Sequence, residues 1–151
     1  RARSLTQLAD RMGAPLRLVE GDGREVPLDG DFDAVLVDPP CSGLGVLGVR
    51  PDARWRRTQE DVGRLAQLQG QLLARALELV APTGRVVYST CTLLPAENDE
   101  VVRASGASID DITHLAPEWA HRALAGALLT VPGRDGTDGF FVARLRPQSS
   151  S

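Results

Sequence analysis

Two cysteines and an aspartate come directly after short apolar segments of the chain. Asp38 and Cys41 follow the apolar run 33–37, and Cys91 follows the run 85–89. Each run is too short for a typical helix, and its β-branched and aliphatic residues favour a buried parallel strand. Because the carboxyl ends of parallel strands lie at one edge of a sheet, we expect both cysteines to face one cleft. A thiolate is a strong nucleophile, so the pair predicts a nucleophile and a partner acid or base.

Each of these residues also has a purely structural interpretation. Cys41 and Cys91 could be small buried apolar residues, and Asp38 could serve only to form a turn with Pro39 and Pro40. The same two prolines stiffen the backbone, so Asp38 and the carbonyls after it could instead form a rigid rim that grips a planar base with an amino group. A structural disulfide is disfavoured in a reducing compartment.

A local basic and aromatic cluster lies between residues 50 and 57. Its members are Arg50, Arg54, Trp55, Arg56 and Arg57. One interpretation is phosphate contact with stacking on a single-stranded nucleotide. The other is a solvated loop with its tryptophan packed against the next helix. The formal net charge of -3 excludes a broad basic surface, so any nucleic-acid contact has to come from this cluster.

Three other signals are less specific. Asp22 could contact a ligand or only shape its Gly-Asp-Gly turn. Residues 43–48 match the dinucleotide-binding pattern GxGxxG, but Pro51 and several arginines follow where that pattern needs a helix. Neither the histidines nor the cysteines have companions at metal-ligand spacing, so we predict no metal site.

The remaining sequence predicts strands that alternate with helices. Helical spacing of apolar residues predicts helices over 1–12, 58–80, 95–104 and 118–126. Strands are predicted over 16–19, 33–37, 85–89, 108–112 and 139–145, with a loop over 43–57. This alternation is typical of an α/β fold with a doubly wound, mostly parallel sheet, to which the final strand could add a late hairpin.

Length and composition narrow the classes of protein. A chain of 151 residues with 42% hydrophobic content predicts one domain over residues 1–146 and a disordered polar tail over 147–151. All 17 basic residues are arginine, which excludes a lysine base or Schiff base. Two cysteines, no signal-like N-terminus and no apolar run near 20 residues indicate a cytoplasmic protein without membrane contact.

Taken together, the motifs resemble the Sun-type family of S-adenosylmethionine-dependent RNA cytosine-5 methyltransferases, especially its bacterial 16S ribosomal RNA members. The matching segments are 21–24 (GDGR), 38–43 (DPPCSG), 50–52 (RPD) with Trp55, 89–92 (STCT), Pro95 with Glu97 and Asn98, and 138–141 (DGFF). The resemblance implies a Rossmann-like methyltransferase fold, S-adenosylmethionine as cofactor, RNA as partner and a monomer when full length.

The resemblance also implies a role for each site residue. Cys91 would be the nucleophile that attacks C6 of the target cytosine, and Cys41 would help to remove the C5 proton and release the product. Asp38 would hydrogen-bond the cytosine edge near N3 and N4. Asp38 and Pro39 would lie beside the cofactor, and Asp22 would contact its adenine. The base has to leave its stack to be reached.

One departure from the family pattern concerns the start of the chain. The glycine-rich cofactor loop after the family's first strand and the second strand with its ribose-binding acid are not in the sequence. The chain therefore resembles the C-terminal part of a catalytic domain, truncated at its N-terminus. In the family's strand order the two missing strands would lie between 16–19 and 33–37, so we expect an orphaned strand at 16–19 or direct pairing across the gap. Cofactor affinity and activity of these residues alone are expected to be weak.

Two other functions stay open at this point. An amino-group methyltransferase would suit Asp-Pro-Pro at a strand end, although such enzymes usually have an aromatic residue where Cys41 stands. A non-catalytic RNA-binding module would use the cluster over residues 50–57.

Overall fold

A computed structural model describes residues 2–14 and 16–148. The strands described in this part of the chain form one sheet, in which β1 (Phe32–Val37), β2 (Val80–Thr90), β5 (Phe141–Arg146) and β3 (Ser108–Asp110) lie side by side in that order. The short strand β4 (Leu128–Leu129) also pairs with β5. The helices are α1 (Ala2–Met12), α2 (Ala53–Arg56), α3 (Gln59–Leu79) and α4 (Asp99–Ala104), and 3-10 turns cover Pro95–Glu97, Thr113–Leu115 and Pro117–Trp119.

The predicted α/β class is confirmed, and the described sheet is mixed. β1 and β2 are parallel, with Val37 opposite Tyr88. β5 is antiparallel to β2, to β3 and to β4, as the late hairpin in the prediction allowed. Among the described strands, β1 and β2 form the parallel part of the sheet, and this pair carries both cysteines at its carboxyl end.

The predicted strand over 16–19 is wrong. The residues described there are irregular and exposed, and Leu16 keeps 55% of its surface accessible. A strand needs a hydrogen-bonding neighbour, and one edge of β1 faces none of the described strands. Leu36 at that edge is 70% exposed although it lies within an apolar strand. Direct pairing of 16–19 with β1 therefore does not occur.

Helix α3 has a sequence signal at its start and an apolar face along its length. The side chain of Thr58 accepts a hydrogen bond from the Asp61 amide, and the Asp61 carboxylate accepts one from the Thr58 amide, which completes a capping box. Leu73, Ala76 and Leu79 are buried against the sheet. Packing of α3 on β1 and β2 fixes the two strands that lead to the cysteines.

The chain after Cys91 is less regular than predicted. The helix expected over 95–104 is divided into a 3-10 turn and α4, because Asn98 between them has φ -118° and ψ -85°, outside the helical region. The helix expected over 118–126 is absent: a 3-10 turn ends at Trp119 and is followed by irregular chain. The strand over 108–112 is confirmed in shorter form as β3. The loop expected over 43–57 ends in α2.

The helix predicted at the start of the chain and the tail predicted at its end extend beyond the described residues. The helix predicted over 1–12 is confirmed from Ala2 onward, and residue 1 lies outside the described part. Residues 149–151 of the predicted tail also lie outside it. In the ranges 2–14 and 16–148, no helix has both the length and the apolar character that a membrane span requires.

Candidate active site

The ends of β1 and β2 bring the two cysteines together. β1 ends at Val37, and Asp38 and Cys41 follow it; β2 ends at Thr90, and Cys91 is the next residue. Both cysteines are free and half-buried, and their Sγ atoms lie 3.2 Å apart although 50 positions separate them in the chain. The structure thus has the shared cleft that the neighbouring strand ends predict.

A cavity of about 890 Å³ opens over this pair. Its lining includes Asp38, both cysteines, three arginines and one partly exposed aromatic ring. The lining residues are Asp38, Pro39, Pro40, Cys41, Ser42, Gly43, Val46, Val49, Arg50, Asp52, Ala53, Arg56, Arg57, Cys91 and Phe140. In the sequence, Phe140 belongs to the motif over residues 138–141, and its spacing does not predict that its ring lines the cavity while the ring of Phe141 is buried. The cavity offers thiols, a carboxylate, cations and an aromatic face to one ligand.

Cys91 holds its proton in the free site. Burial is the main cause that raises the pKa of Cys91 to about 12, followed by the hydrogen bond and the charge of Cys41, with a smaller contribution from the charge of Asp38. Little Cys91 thiolate is therefore present near neutral pH. Any reaction of this thiol has to include a place for its proton to go.

Removal of the Cys41 thiol is expected to lower the pKa of Cys91. In Cys41→Ala the hydrogen bond and the charge that oppose ionisation are both gone, so thiolate forms at lower pH. The rate of iodoacetamide alkylation at Cys91, followed by mass spectrometry against pH, is expected to rise at lower pH in Cys41→Ala than in the wild type. The wild-type chain unfolded in urea is the control, since burial no longer acts there. If the pH at which the alkylation rate reaches half its maximum is unchanged or higher in Cys41→Ala, Cys41 does not raise the pKa of Cys91.

The predicted arginine and tryptophan cluster divides into two parts. Arg50, Arg56 and Arg57 line the cavity, and the Arg57 Nε atom donates to the Ser42 carbonyl oxygen at 3.2 Å. Arg54 and Trp55 do not line it: the Arg54 guanidinium lies 5.4 Å from the centroid of the Trp55 ring. Trp55 is 83% exposed, so the alternative that packs it against the next helix is wrong.

A second, more apolar groove of about 280 Å³ lies beside the first cavity. It is lined by residues of β1 and α3 and by the turns next to them: Gly23, Leu28, Val35, Leu36, Val37, Asp38, Pro39, Pro40, Leu72, Arg75, Ala76 and Leu79. Asp38, Pro39 and Pro40 belong to both spaces. A ligand in the groove and a ligand in the cavity would therefore meet at this turn.

Asp22 lies in a tight turn and lines neither space. Its carboxylate accepts hydrogen bonds from the Arg24 backbone and side chain, which lower the pKa of Asp22 to about 2. Its carbonyl oxygen accepts from the amides of Glu25 and Val26. These contacts agree with the interpretation that Asp22 shapes its turn. A contact of Asp22 with adenine stays a prediction.

Gly45, within the GxGxxG string, joins three segments of the site. Its amide donates to the Cys91 carbonyl oxygen at 3.0 Å, and its own carbonyl oxygen accepts from the Gly139 amide at 2.8 Å. A Cβ atom at Gly45 would lie 2.2 Å from the Gly139 oxygen. This glycine therefore permits a close backbone approach, and its string is followed by turns instead of a helix.

Metal ligands are not assembled at this site. Among the side chains of the described residues, no group of three or more His, Cys, Asp or Glu is arranged to hold a metal ion. His121 instead lies 3.1 Å from the Asp99 carboxylate.

The sequence matches a known family over most of its length. Residues 1–146 match the family described as 16S rRNA methyltransferase RsmB/F. The chain belongs to this family. The family assignment agrees with the resemblance carried by the sequence motifs and with the α/β fold.

Two relatives match most of the chain. A protein from Mycobacterium tuberculosis is 42% identical over 139 residues, which make up 89% of this chain and 30% of that protein. The ribosomal RNA small subunit methyltransferase B of Enterobacter sp. is 36% identical over 138 residues, 89% of this chain and 31% of that protein. The chain thus spans about a third of the length of these relatives.

Two crystal structures show the same fold. The structure of PH0851 has a TM-score of 0.89 and 31% identity, and the match covers 97% of this chain and 34% of that one. The structure of NSun6 from Pyrococcus horikoshii with SFG has a TM-score of 0.83 and 30% identity, covering 97% of this chain and 38% of that one.

Proposed function

We propose that this chain forms the thiol-bearing part of an S-adenosylmethionine-dependent methyltransferase that acts on C5 of a cytosine in RNA of the small ribosomal subunit. The observation that carries the proposal is the pair of free thiols 3.2 Å apart, in one cavity with Asp38. Membership of the 16S rRNA methyltransferase family supports the ribosomal RNA substrate.

The chemistry of the cytosine ring requires first a nucleophile and later a base, and the two thiols can fill these roles. C5 is a weak nucleophile until a nucleophile adds to C6, which places the electron pair of the C5–C6 bond at C5. After C5 has taken the methyl group it still carries a proton, which a base has to remove before the C6–S bond can break and the double bond can form again. Cys91 would supply the first function and Cys41 would assist the second.

Asp38 can balance the proton movements of the addition step. The Cys91 thiol has to lose a proton as its sulfur bonds to C6, and N3 of the ring gains one as the enamine forms. The exposed Asp38 carboxylate lies in the same cavity and contributes to the raised pKa of Cys91 through its charge. One of its oxygens would take the proton from the Cys91 thiol and pass it to N3, while the other accepts a hydrogen bond from the N4 amino group.

The turn over residues 38–40 would bring the base and the methyl donor together. S-adenosylmethionine supplies an electrophilic methyl group when bound. The apolar groove beside the cavity provides a wall for such a ligand, with the Asp38 carboxylate at the shared turn. NSun6 from Pyrococcus horikoshii, which was crystallised with the S-adenosylmethionine analogue SFG, supports this cofactor. Asp38 and Pro39 would contact the cofactor from this turn, and Asp22 would approach its adenine.

The test uses a chimera, since the relatives are about three times as long as this chain. Residues 1–146 replace the matching segment of the Enterobacter relative, which is 36% identical over 138 residues. With S-adenosylmethionine and small-subunit RNA that contains 5-fluorocytosine, we expect an adduct that survives denaturation, because fluorine at C5 cannot leave as a proton. The methylated product from ordinary RNA is expected to carry its methyl group on C5.

Two outcomes would replace the proposal. A methyl group on N4 without an adduct would identify an amino-group methyltransferase. RNA binding that falls steeply with salt, with no methyl transfer by a chimera whose cofactor binding is intact, would identify an RNA-binding module.

The arginines that line the cavity are expected to contact phosphates of the RNA. Arg50→Gln is expected to weaken binding of single-stranded RNA by the chimera and to reduce the slope of log affinity against log salt by about 0.7, the value for one lost phosphate contact. Arg54→Gln is the matched control, because Arg54 lies on the same segment but outside the cavity lining. The measurement is fluorescence anisotropy at several salt concentrations. Equal slopes for the two variants would contradict a phosphate contact at Arg50.

A further inference from the structure

Glu97 is a fully buried carboxylate next to the two cysteine segments, and the proposed chemistry does not use it. Its side chain has 0% of its surface exposed. Its Oε1 atom accepts from the Ser42 amide at 2.8 Å and from the Gln69 amide group at 2.9 Å, and its Oε2 atom accepts from the Ser42 hydroxyl at 2.5 Å. A buried carboxylate is costly unless it is fully hydrogen-bonded, so these contacts point to a specific use.

Among the described residues, the groups that donate hydrogen bonds to the Glu97 carboxylate either belong to the segment that carries Cys41 or also bond it. Ser42 is the next residue after Cys41, and both its amide and its hydroxyl are held. Gln69 also donates to the carbonyl oxygen of Pro40, the residue before Cys41, at 2.9 Å. The carboxylate therefore fixes the backbone on both sides of Cys41, directly on one side and through Gln69 on the other.

The backbone of Glu97 and the neighbouring Asn98 are attached to the segment that carries Cys91. The Tyr88 hydroxyl in β2 donates to the Glu97 carbonyl oxygen at 2.7 Å. The Asn98 side chain accepts from the Thr90 hydroxyl at 2.6 Å and donates to the Thr92 carbonyl oxygen at 2.9 Å. These two threonines are the residues immediately before and after Cys91.

One further contact joins the two segments directly. The hydroxyl groups of Ser42 and Thr92, the residues that follow the two cysteines, lie 2.9 Å apart. Ser42, Thr92, Glu97 and Asn98 are all at most 1% exposed, so water does not compete for these bonds. The network is closed from solvent while both thiols remain half-buried at the cavity.

We infer that Glu97 is a positioning residue that holds the sulfur of Cys41 at a defined distance from the sulfur of Cys91. The inference rests on the proposed function in so far as both thiols act on one base. The effect of Glu97 is geometric. The pKa of Cys91 is shifted by burial, by Cys41, by the backbone of Cys91 and by Asp38, and Glu97 is not among these causes. A displacement of about 1 Å between reacting groups can cost about a hundredfold in rate, which makes such a support valuable.

The test measures the spacing of the thiols without RNA or cofactor. Phenylarsine oxide bridges two neighbouring thiols: two S–H bonds break, two As–S bonds form and one water leaves, with no change in oxidation state. Its affinity for the 151-residue chain reports whether both sulfurs are available at the required spacing. Cys41→Ser, which leaves one thiol, sets the level of binding without a bridge.

Glu97→Ala is expected to weaken arsenical binding by at least about tenfold, because the segment around Ser42 loses its fixed position. Asp99→Ala is the matched control: Asp99 is also buried and lies two residues away, but its carboxylate bonds His121 and no residue next to a cysteine. We expect binding within about twofold of the wild type in that control.

Glu97→Gln is expected to restore most of the affinity. Its amide oxygen can keep both bonds made by Oε1, and its NH₂ group can donate to the Ser42 hydroxyl, which then donates to Thr92. Equal weakening in Glu97→Ala and Asp99→Ala, or no rescue by glutamine, would overturn the inference and leave Glu97 as a stabilising residue only.

A second variant keeps the test decisive if Glu97→Ala does not fold. Ser42→Ala removes the hydroxyl group that joins Glu97 and Thr92. The hydrogen bond from the backbone amide of residue 42 to the Glu97 carboxylate remains. We expect it to weaken arsenical binding by at least about threefold, and unchanged binding in this folded variant would contradict the inference. Normal thiol spacing in a chimera that fails to methylate C5 would contradict the proposed function and leave the role of Glu97 intact.

Discussion

Cys91→Ala is expected to abolish both the adduct with 5-fluorocytosine RNA and methyl transfer by the chimera. Without the sulfur that adds to C6, the ring cannot place its electron pair at C5, so the rate of methylation is expected to fall by at least about 10³-fold. Adducts are measured by denaturing gel electrophoresis, and methyl transfer by radiolabel from the cofactor.

Cys41→Ala provides the matched comparison, because it removes a thiol 3.2 Å away in the same cavity. If Cys41 assists removal of the C5 proton, this variant is expected to complete the addition and the methyl transfer but to release its product poorly. A denaturation-resistant adduct is then expected to accumulate on ordinary RNA. Accumulation of that adduct in Cys91→Ala instead would reverse the assigned roles, and full activity of Cys91→Ala would refute the covalent mechanism.

Gly45→Ala is expected to reduce the free energy of unfolding by about 3 kcal/mol or more. The added Cβ would lie 2.2 Å from the Gly139 carbonyl oxygen and 2.9 Å from the Cys91 carbonyl oxygen. Both neighbours are backbone atoms, so the clash is relieved only if the segments that carry Gly139 and Cys91 move away from Gly45. Urea unfolding followed by circular dichroism measures the loss.

Gly63→Ala is the control for the glycine substitution. Gly63 lies in α3, and apart from its chain neighbours and the backbone of its own helix no atom of the described residues lies within 4 Å of the position of a Cβ atom. Alanine in a helix interior is better than glycine by about 0.5–1 kcal/mol, so this variant is expected to be more stable than the wild type. If Gly45→Ala is within 1 kcal/mol of the wild type, the close approach of the two loops is not important for stability.

The features that the sequence predicted correctly depend on neighbouring residues in the chain. The apolar runs before Asp38 and Cys91 form strands, and the Thr58–Asp61 capping box begins α3. Such signals act within a few residues, so they can be recognised without knowledge of the fold. The rule that parallel strand ends share one edge then places the cysteines together.

The incorrect predictions depend on partners elsewhere. Residues 16–19 have a composition that suits a strand, but no described strand pairs with them. In the segment 118–126, Leu124 is buried in the core from irregular chain, so its apolar character does not require a helix. Local composition describes what a segment can form, and its neighbours decide what it does form.

From the sequence alone we could predict the residues of the proposed chemistry, namely two cysteines and an aspartate at strand ends, and recognise the family. Their arrangement is visible only in the folded chain: the 3.2 Å between the sulfurs, the arginines that reach the cavity and the buried Glu97 between the cysteine segments. This is because the contact between the sulfurs and those of the Glu97 carboxylate with Ser42 and Gln69 join positions 28 to 55 residues apart. Their distances depend on strand register and loop path, which residue types and spacing do not specify.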